Sequence, residues 1–184
     1  MEVQGAAFLY TLAGLTVTFA GLTALLLILR QAAGATASAL DRYIAKTVMT
    51  YMFVLTAGAL LPALLGLYGT PEIWIWRGAG ALFGLPMLCL QATYPMRRRK
   101  AVGKAPPAAI LAVFVVLGSA ATLTMLVWMA AGLPHSAAVY MTALTIDFFT
   151  VIFGFVAALD IIMLQPAEAA ARPAADGSAA CGPN

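Results

Sequence analysis

The sequence predicts an all-α, polytopic transmembrane helical bundle of five spans, with the N-terminus outside and the C-terminus inside. Three observations lead to that expectation. The 184 residues are 63% hydrophobic and only 9% charged, whereas a water-facing domain carries about 25% charged residues, so this chain needs lipid around it. Its apolar residues gather into runs of membrane-crossing length, parted by Gly, Pro and charge. Its basic residues fall on alternate connections, the pattern that fixes orientation in a bilayer.

The first span covers about Ala6 to Leu29, is uncharged throughout and stops at Arg30. At about 1.5 Å per residue it exceeds the ~30 Å hydrocarbon core, so it crosses with tilt. Ala35-Thr36-Ala37 looks like a signal-peptidase site. Met1 to Gly5, however, holds Glu2 and no Lys or Arg, and the apolar run is longer than the about 7 to 15 residues of a signal h-region, so a retained helix is expected.

A small-residue linker, Ala32 to Ala37, leads to Ser38 with Asp41 three residues on, the spacing of a capping box that opens the second helix. Leu40, Tyr43, Ile44 and Thr47 share one face there, while Asp41, Arg42 and Lys46 point elsewhere. This stretch is expected at the cytoplasmic interface before Val48 to Tyr68 crosses. Gly69 ends that span, and Thr70-Pro71-Glu72 starts the next as N-cap, first-turn proline and an acid favoured by the helix dipole.

The third span, about Ile73 to Tyr94, carries only Arg77 as a charge, and Pro95 leads out of it into Arg97, Arg98, Arg99, Lys100 and, further on, Lys104. Pro106-Pro107 opens the fourth, Ala108 to Ala131, which Gly132 and Pro134 stop. The fifth, about Ala137 to Leu164, contains Asp147 and Asp160. Residues 1–165 thus form one transmembrane domain. Residues 166–184, rich in Ala, Pro and Gly without apolar periodicity, read as a disordered cytoplasmic tail.

With the N-terminus outside, Arg30, Arg42, Lys46, Arg97, Arg98, Arg99, Lys100, Lys104 and Arg172 lie inside and only Arg77 outside, so nine of the ten basic residues obey the positive-inside rule. Trp74, Trp76 and Trp128, with Tyr10, Tyr68 and Tyr140, are expected in the outer aromatic belt. In this setting a net charge of +3 reports topology rather than nucleic-acid binding. The Arg97 to Lys104 cluster also attracts anionic lipid headgroups. The expected location is an integral one, in a bacterial inner membrane.

Helices in lipid associate through close van der Waals approach, so stripes of small residues mark packing faces. Ala7, Thr11, Gly14, Thr18 and Gly21 form one in span 1, Gly58, Pro62 and Gly66 another in span 2, and Gly80 and Gly84 a third in span 3. All are expected to turn inward, any surplus serving a homo-oligomer or a partner membrane protein.

An acid near the bilayer centre costs at least about 2.5 kcal/mol, so Asp147 needs a reason. Tyr140, Thr150, Gly154 and Ala158 share its face. It is a structural hydrogen-bonded acid, a partner of Arg77, or an ion or proton site. Arg77, just below the outer boundary, either snorkels to the headgroups or joins Gly80, Gly84 and Gln91 in a polar line down span 3 toward that depth, and with Gln91, Thr150 and Asp147 it makes up the candidate intramembrane site. Asp160 points roughly 140° away from Asp147 on the same helix and is no catalytic partner for it. It is expected in solvent or against Arg97 to Lys100.

Motifs of nucleotide, serine-hydrolase, zinc-protease or dithiol chemistry are absent, and no lysine inside a span could hold a Schiff base. One histidine, His135, cannot ligate haem from two sides, and no His, Cys and carboxylate grouping has metal spacing, so no cofactor or metal is expected. Cys89 and Cys181 lack disulfide spacing. Gly182 and Pro183 rule out a prenylation box at Cys181. An enzyme acting on headgroups would need more acids at the cytoplasmic face than Asp41 and Asp160. The expected function is a non-enzymatic structural or accessory component of a membrane assembly, the alternative a small proton- or ion-coupled transporter or channel using Asp147.

Overall fold

The computed structural model describes residues 5–32, 38–103 and 105–170, the side chains of 30 and 158–170 excepted. Among the described residues five helices are long and apolar enough to cross a membrane: α1 (Ala6–Ala32), α2 (Ala39–Leu67), α3 (Glu72–Val102), α4 (Ala108–Ala131) and α5 (Ser136–Ala170). Short connections make α2 to α5 antiparallel neighbours. These four close into a ring, α2 against α3, α3 against α4, α4 against α5 and α5 back against α2, while α1 lies outside it, chiefly along α2 and touching α5.

Local chemistry explains most boundaries. At the start of α2 the Ser38 amide donates to Asp41 Oδ2 at 2.9 Å and the Asp41 amide to Ser38 Oγ at 3.1 Å, the reciprocal box the sequence spells. The box turns Asp41 inward, whereas Arg42 and Lys46 stay exposed. At the next turn Thr70 does not cap α3. Its hydroxyl reaches back to the Leu65 carbonyl at 3.0 Å, and Pro71 precedes α3 without a side-chain cap.

Helix α3 overruns its expected end at Tyr94 by two turns. Pro95 removes the donor that the Gln91 carbonyl would use and crowds the turn before it. Arg97 Nη2 donates to the carbonyl one residue earlier, that of Leu90, at 2.8 Å. Arg99 and Lys100 sit in the last turn, where cations favour the helix C-terminus. Gly103, at φ 72°, closes the helix with its amide on the Arg99 carbonyl at 2.9 Å. Helix α5 likewise runs to Ala170, past Pro166, carried by the helix-favouring residues Ala167 to Ala170. Residues 171–184, and with them Arg172 and Cys181, lie outside the described residues, as do Lys104, the 33–37 linker, and the side chains of Arg30, Ala158 and Asp160.

The fourth helix has a feature the sequence did not announce. Leu111–Leu117 is wound as a π-helix between two α-helical stretches. Ile110, Phe114, Gly118 and Thr122 all face inward at steps of four. Each such step overshoots an α-helical turn by about 40°, and the wider π turn cancels that drift.

The core is aromatic at both ends. Tyr51 and Tyr94 pack on Phe114 with ring centroids 4.7 and 4.9 Å apart, and Trp76 and Phe83 pack on Tyr140 at 5.7 and 6.0 Å. Two expected belt residues are therefore core residues: Trp76 and Tyr140 are 2% and 0% exposed. Tyr140 spends its hydroxyl on the Gly58 carbonyl at 2.7 Å, a bond lipid could not supply. Trp74, Tyr68 and Tyr10 do face outward.

The small-residue stripes of α2 and α3 are packed as expected. A Cβ on Gly58 would lie 2.5 Å from the Phe83 ring, and one on Gly84 2.8 Å from Leu126. The stripe on α1 is not packed. Ala7, Thr11, Gly14, Thr18 and Gly21 are exposed, and a Cβ on Gly14 or Gly21 would meet nothing within 4 Å. Helix α1 uses the opposite face instead, with Leu9, Leu12, Ala13, Thr16 and Thr23 buried, and Thr16 and Thr56 joining α1 to α2 through their hydroxyls at 2.7 Å.

Candidate functional site

Three helices each contribute one polar side chain to a single point in the interior. Asp147 of α5 accepts from Gln91 Nε2 of α3 at 2.8 Å through Oδ1, and from Thr122 Oγ1 of α4 at 2.9 Å through Oδ2. Asp147 and Thr122 are 0% exposed and Gln91 is 1% exposed, so no solvent reaches the carboxylate in this arrangement. Gly118, one turn before Thr122, makes the meeting possible: a Cβ there would lie 2.6 Å from Gln91 Nε2 and 3.2 Å from Asp147 Oδ1. The π turn ahead of Gly118 is what aims this bare backbone at the cluster.

Among the described residues no cation pairs with Asp147. Arg77 is engaged elsewhere, its Nε donating to the Met129 carbonyl at 3.1 Å and its guanidinium lying 5.6 Å from the Trp74 ring centroid. It thereby caps the last turn of α4, where free carbonyls and the dipole favour a cation. The Gln91 that binds Asp147 is fourteen residues along α3 from Arg77, about 21 Å. The polar line down α3 exists as a buried face through Gly80, Gly84 and Gln91, but it does not couple Arg77 to Asp147.

Thr150, also buried, turns its hydroxyl onto the Asp147 backbone carbonyl at 2.8 Å and not onto the carboxylate. Gln91 keeps one group in reserve, since its Oε1 has no hydrogen-bond partner. The arrangement ties α3, α4 and α5 together through two hydrogen bonds between their side chains.

At the opposite end of the bundle from Arg77, the basic cluster is divided. Arg99 and Lys100 are exposed, Arg97 is half-buried, and Arg98 is 8% exposed with Nη1 3.5 Å from the Ala105 carbonyl. Arg98 lines a cavity of about 40 Å³ with Tyr43, Tyr51, Tyr94, Ile110 and Phe114, room for a few water molecules. Tyr51 presents a hydroxyl without a hydrogen bond of normal geometry to this region.

Comparison with protein-family models, with curated proteins and with solved structures found no match.

Of the four expected site residues, the structure brings together Asp147 and Gln91, places Thr150 beside them through the backbone, and sets Arg77 apart. Thr122 and Gly118 escaped the sequence reading. Their signal was a small residue four before a polar one, Gly118 to Thr122, at the depth of Asp147. Cys89 is exposed on α3, and His135, exposed in the α4–α5 turn, adopts φ 64°.

Proposed function

We propose that the protein is a non-enzymatic component, structural or accessory, of an assembly of membrane proteins, and that it contacts a second copy or a partner subunit through α1. The observation that carries this reading is the outward position of the α1 stripe. Small residues let helix backbones approach closely in lipid, and here Ala7, Thr11, Gly14, Thr18 and Gly21 are left free by the bundle's own packing. Thr11 and Thr18 give their hydroxyls to the Ala7 and Gly14 carbonyls at 2.9 and 2.8 Å, so the stripe presents no unmet donor to an apolar neighbour. The closed Asp147 cluster supports the same reading, because an ion or proton path needs its acid in contact with water.

In this reading the end bearing Arg42, Lys46 and Arg97 to Lys100 faces the cytoplasm of a bacterial cell, with the N-terminus outside. The test is steric. A Cβ on Gly14 or Gly21 meets nothing within 4 Å, so Gly14→Leu and Gly21→Leu should not lower the melting temperature while abolishing a self-associated or partner-bound species in mild detergent. A wild-type protein that runs as a lone monomer with nothing co-purifying, or variants that associate as the wild type does, would sink the proposal.

A further inference from the structure

Positive charge also gathers in a second region of the surface. Between α2 and α3, at the basic end, runs a groove of about 480 Å³ lined by Arg42, Lys46 and Arg97 together with Tyr43, Thr47 and Thr50. Among the described residues that line it three are cationic and none is acidic. Arg97 is held in place rather than waving in solvent, since its Nη2 is anchored on the Leu90 carbonyl at 2.8 Å. A planar guanidinium fixed by one donor and keeping others free suits a phosphate oxygen pair.

The same face of α2 says what the phosphate is attached to. Continuing from Arg42, Lys46 and Thr50 at steps of three and four come Phe53, Ala57, Leu60 and Leu64, all exposed, Phe53 at 66%. A cationic pocket thus sits directly at the head of an apolar strip that runs down into the membrane-spanning part of α2. Free phosphate would use only the first, whereas a phospholipid would use both.

We infer that this groove is a binding site for one anionic phospholipid, its phosphate held by Arg42, Lys46 and Arg97 and an acyl chain lying along Phe53, Ala57 and Leu60. Arg99 and Lys100, though part of the densest basic run, do not line the groove. This separates a built site from general attraction to a charged leaflet. The site is independent of the α1 surface.

The test compares two charge-matched variants. Arg42→Gln/Lys46→Gln alters only exposed groove residues, and Arg99→Gln/Lys100→Gln removes the same charge outside it. Full-length protein in a neutral detergent is titrated with phosphatidylglycerol, phosphatidylcholine or inorganic phosphate, and bound lipid is counted by native mass spectrometry. Phosphatidylglycerol should bind the wild type and Arg99→Gln/Lys100→Gln as a single tight adduct, with affinity at least about 10-fold weaker for Arg42→Gln/Lys46→Gln. Equal weakening in both variants would reduce the effect to surface charge and overturn the site. Equal binding of phosphatidylcholine, or complete competition by inorganic phosphate at the lipid's own concentration, would overturn the assignment to an anionic lipid. The melting temperature of Arg42→Gln/Lys46→Gln, measured without lipid, should match the wild type, which separates lost binding from lost folding.

Discussion

At the scale of single residues, Asp147 is decided by its partners. Gln91 Nε2 and Thr122 Oγ1 both donate to it, and Gln91 Oε1 is unmatched. An amide in its place can still accept from Thr122 and can donate to Oε1 of a Gln91 turned over. Asp147→Asn is therefore expected to melt within about 0.5 kcal/mol of the wild type, whereas Asp147→Ala, which strands the Gln91 amide, should lose about 1 kcal/mol. Thermal unfolding in detergent measures both. A proton or ion flux in proteoliposomes that vanishes in Asp147→Asn while its melting is unchanged would replace the structural role with a transport role. The sequence marked the acid and Gln91 because charge and amide inside apolar runs are rare. It could not mark Gly118, whose meaning depends on which helix comes within 3 Å of it.

At the scale of elements, Arg77 serves the end of α4. Its guanidinium holds the Met129 carbonyl and lies against the Trp74 ring, so Arg77→Leu should cost about 0.3 to 1 kcal/mol, the usual value of a cation at a helix C-terminus. Because about 21 Å of α3 separates it from Gln91, the double variant with Asp147→Asn should be additive within about 0.5 kcal/mol. Non-additive unfolding energies beyond that would mean that the two residues are coupled after all. The π turn of α4 is a second case. Nothing in Leu111 to Leu117 distinguishes it from an ordinary apolar helix, and the wider winding is fixed by the need to keep Phe114 on Tyr51 while Gly118 meets Gln91.

At the scale of the whole molecule, orientation rests on charge segregation, and it can be measured. In a background with Cys89 and Cys181 replaced by alanine, single cysteines at Tyr68 and Leu133, both exposed in turns at the Arg77 end, should react with an impermeant maleimide added to intact cells. One at Ala101, exposed at the basic end, should react only after permeabilisation. The reverse pattern would place the N-terminus inside and remove the positive-inside argument.

The sequence by itself determined five apolar helices, the caps at Ser38 and Gly132, and the position of one buried acid, because these follow from local hydropathy, backbone chemistry and the cost of charge in lipid. Only the tertiary structure decided which face of α1 is buried, whereas the small-residue faces of α2 and α3 pack as read. In a bilayer both faces are apolar, so periodicity no longer separates inside from outside, and the α1 stripe turned outward against expectation. Tertiary packing also decided that Trp76 and Tyr140 are core, that Asp147 answers to Gln91 and Thr122 rather than Arg77, and that Arg97 joins Arg42 and Lys46 across two helices. Each of these depends on contacts between residues dozens of positions apart, for which a single chain of letters holds no distance.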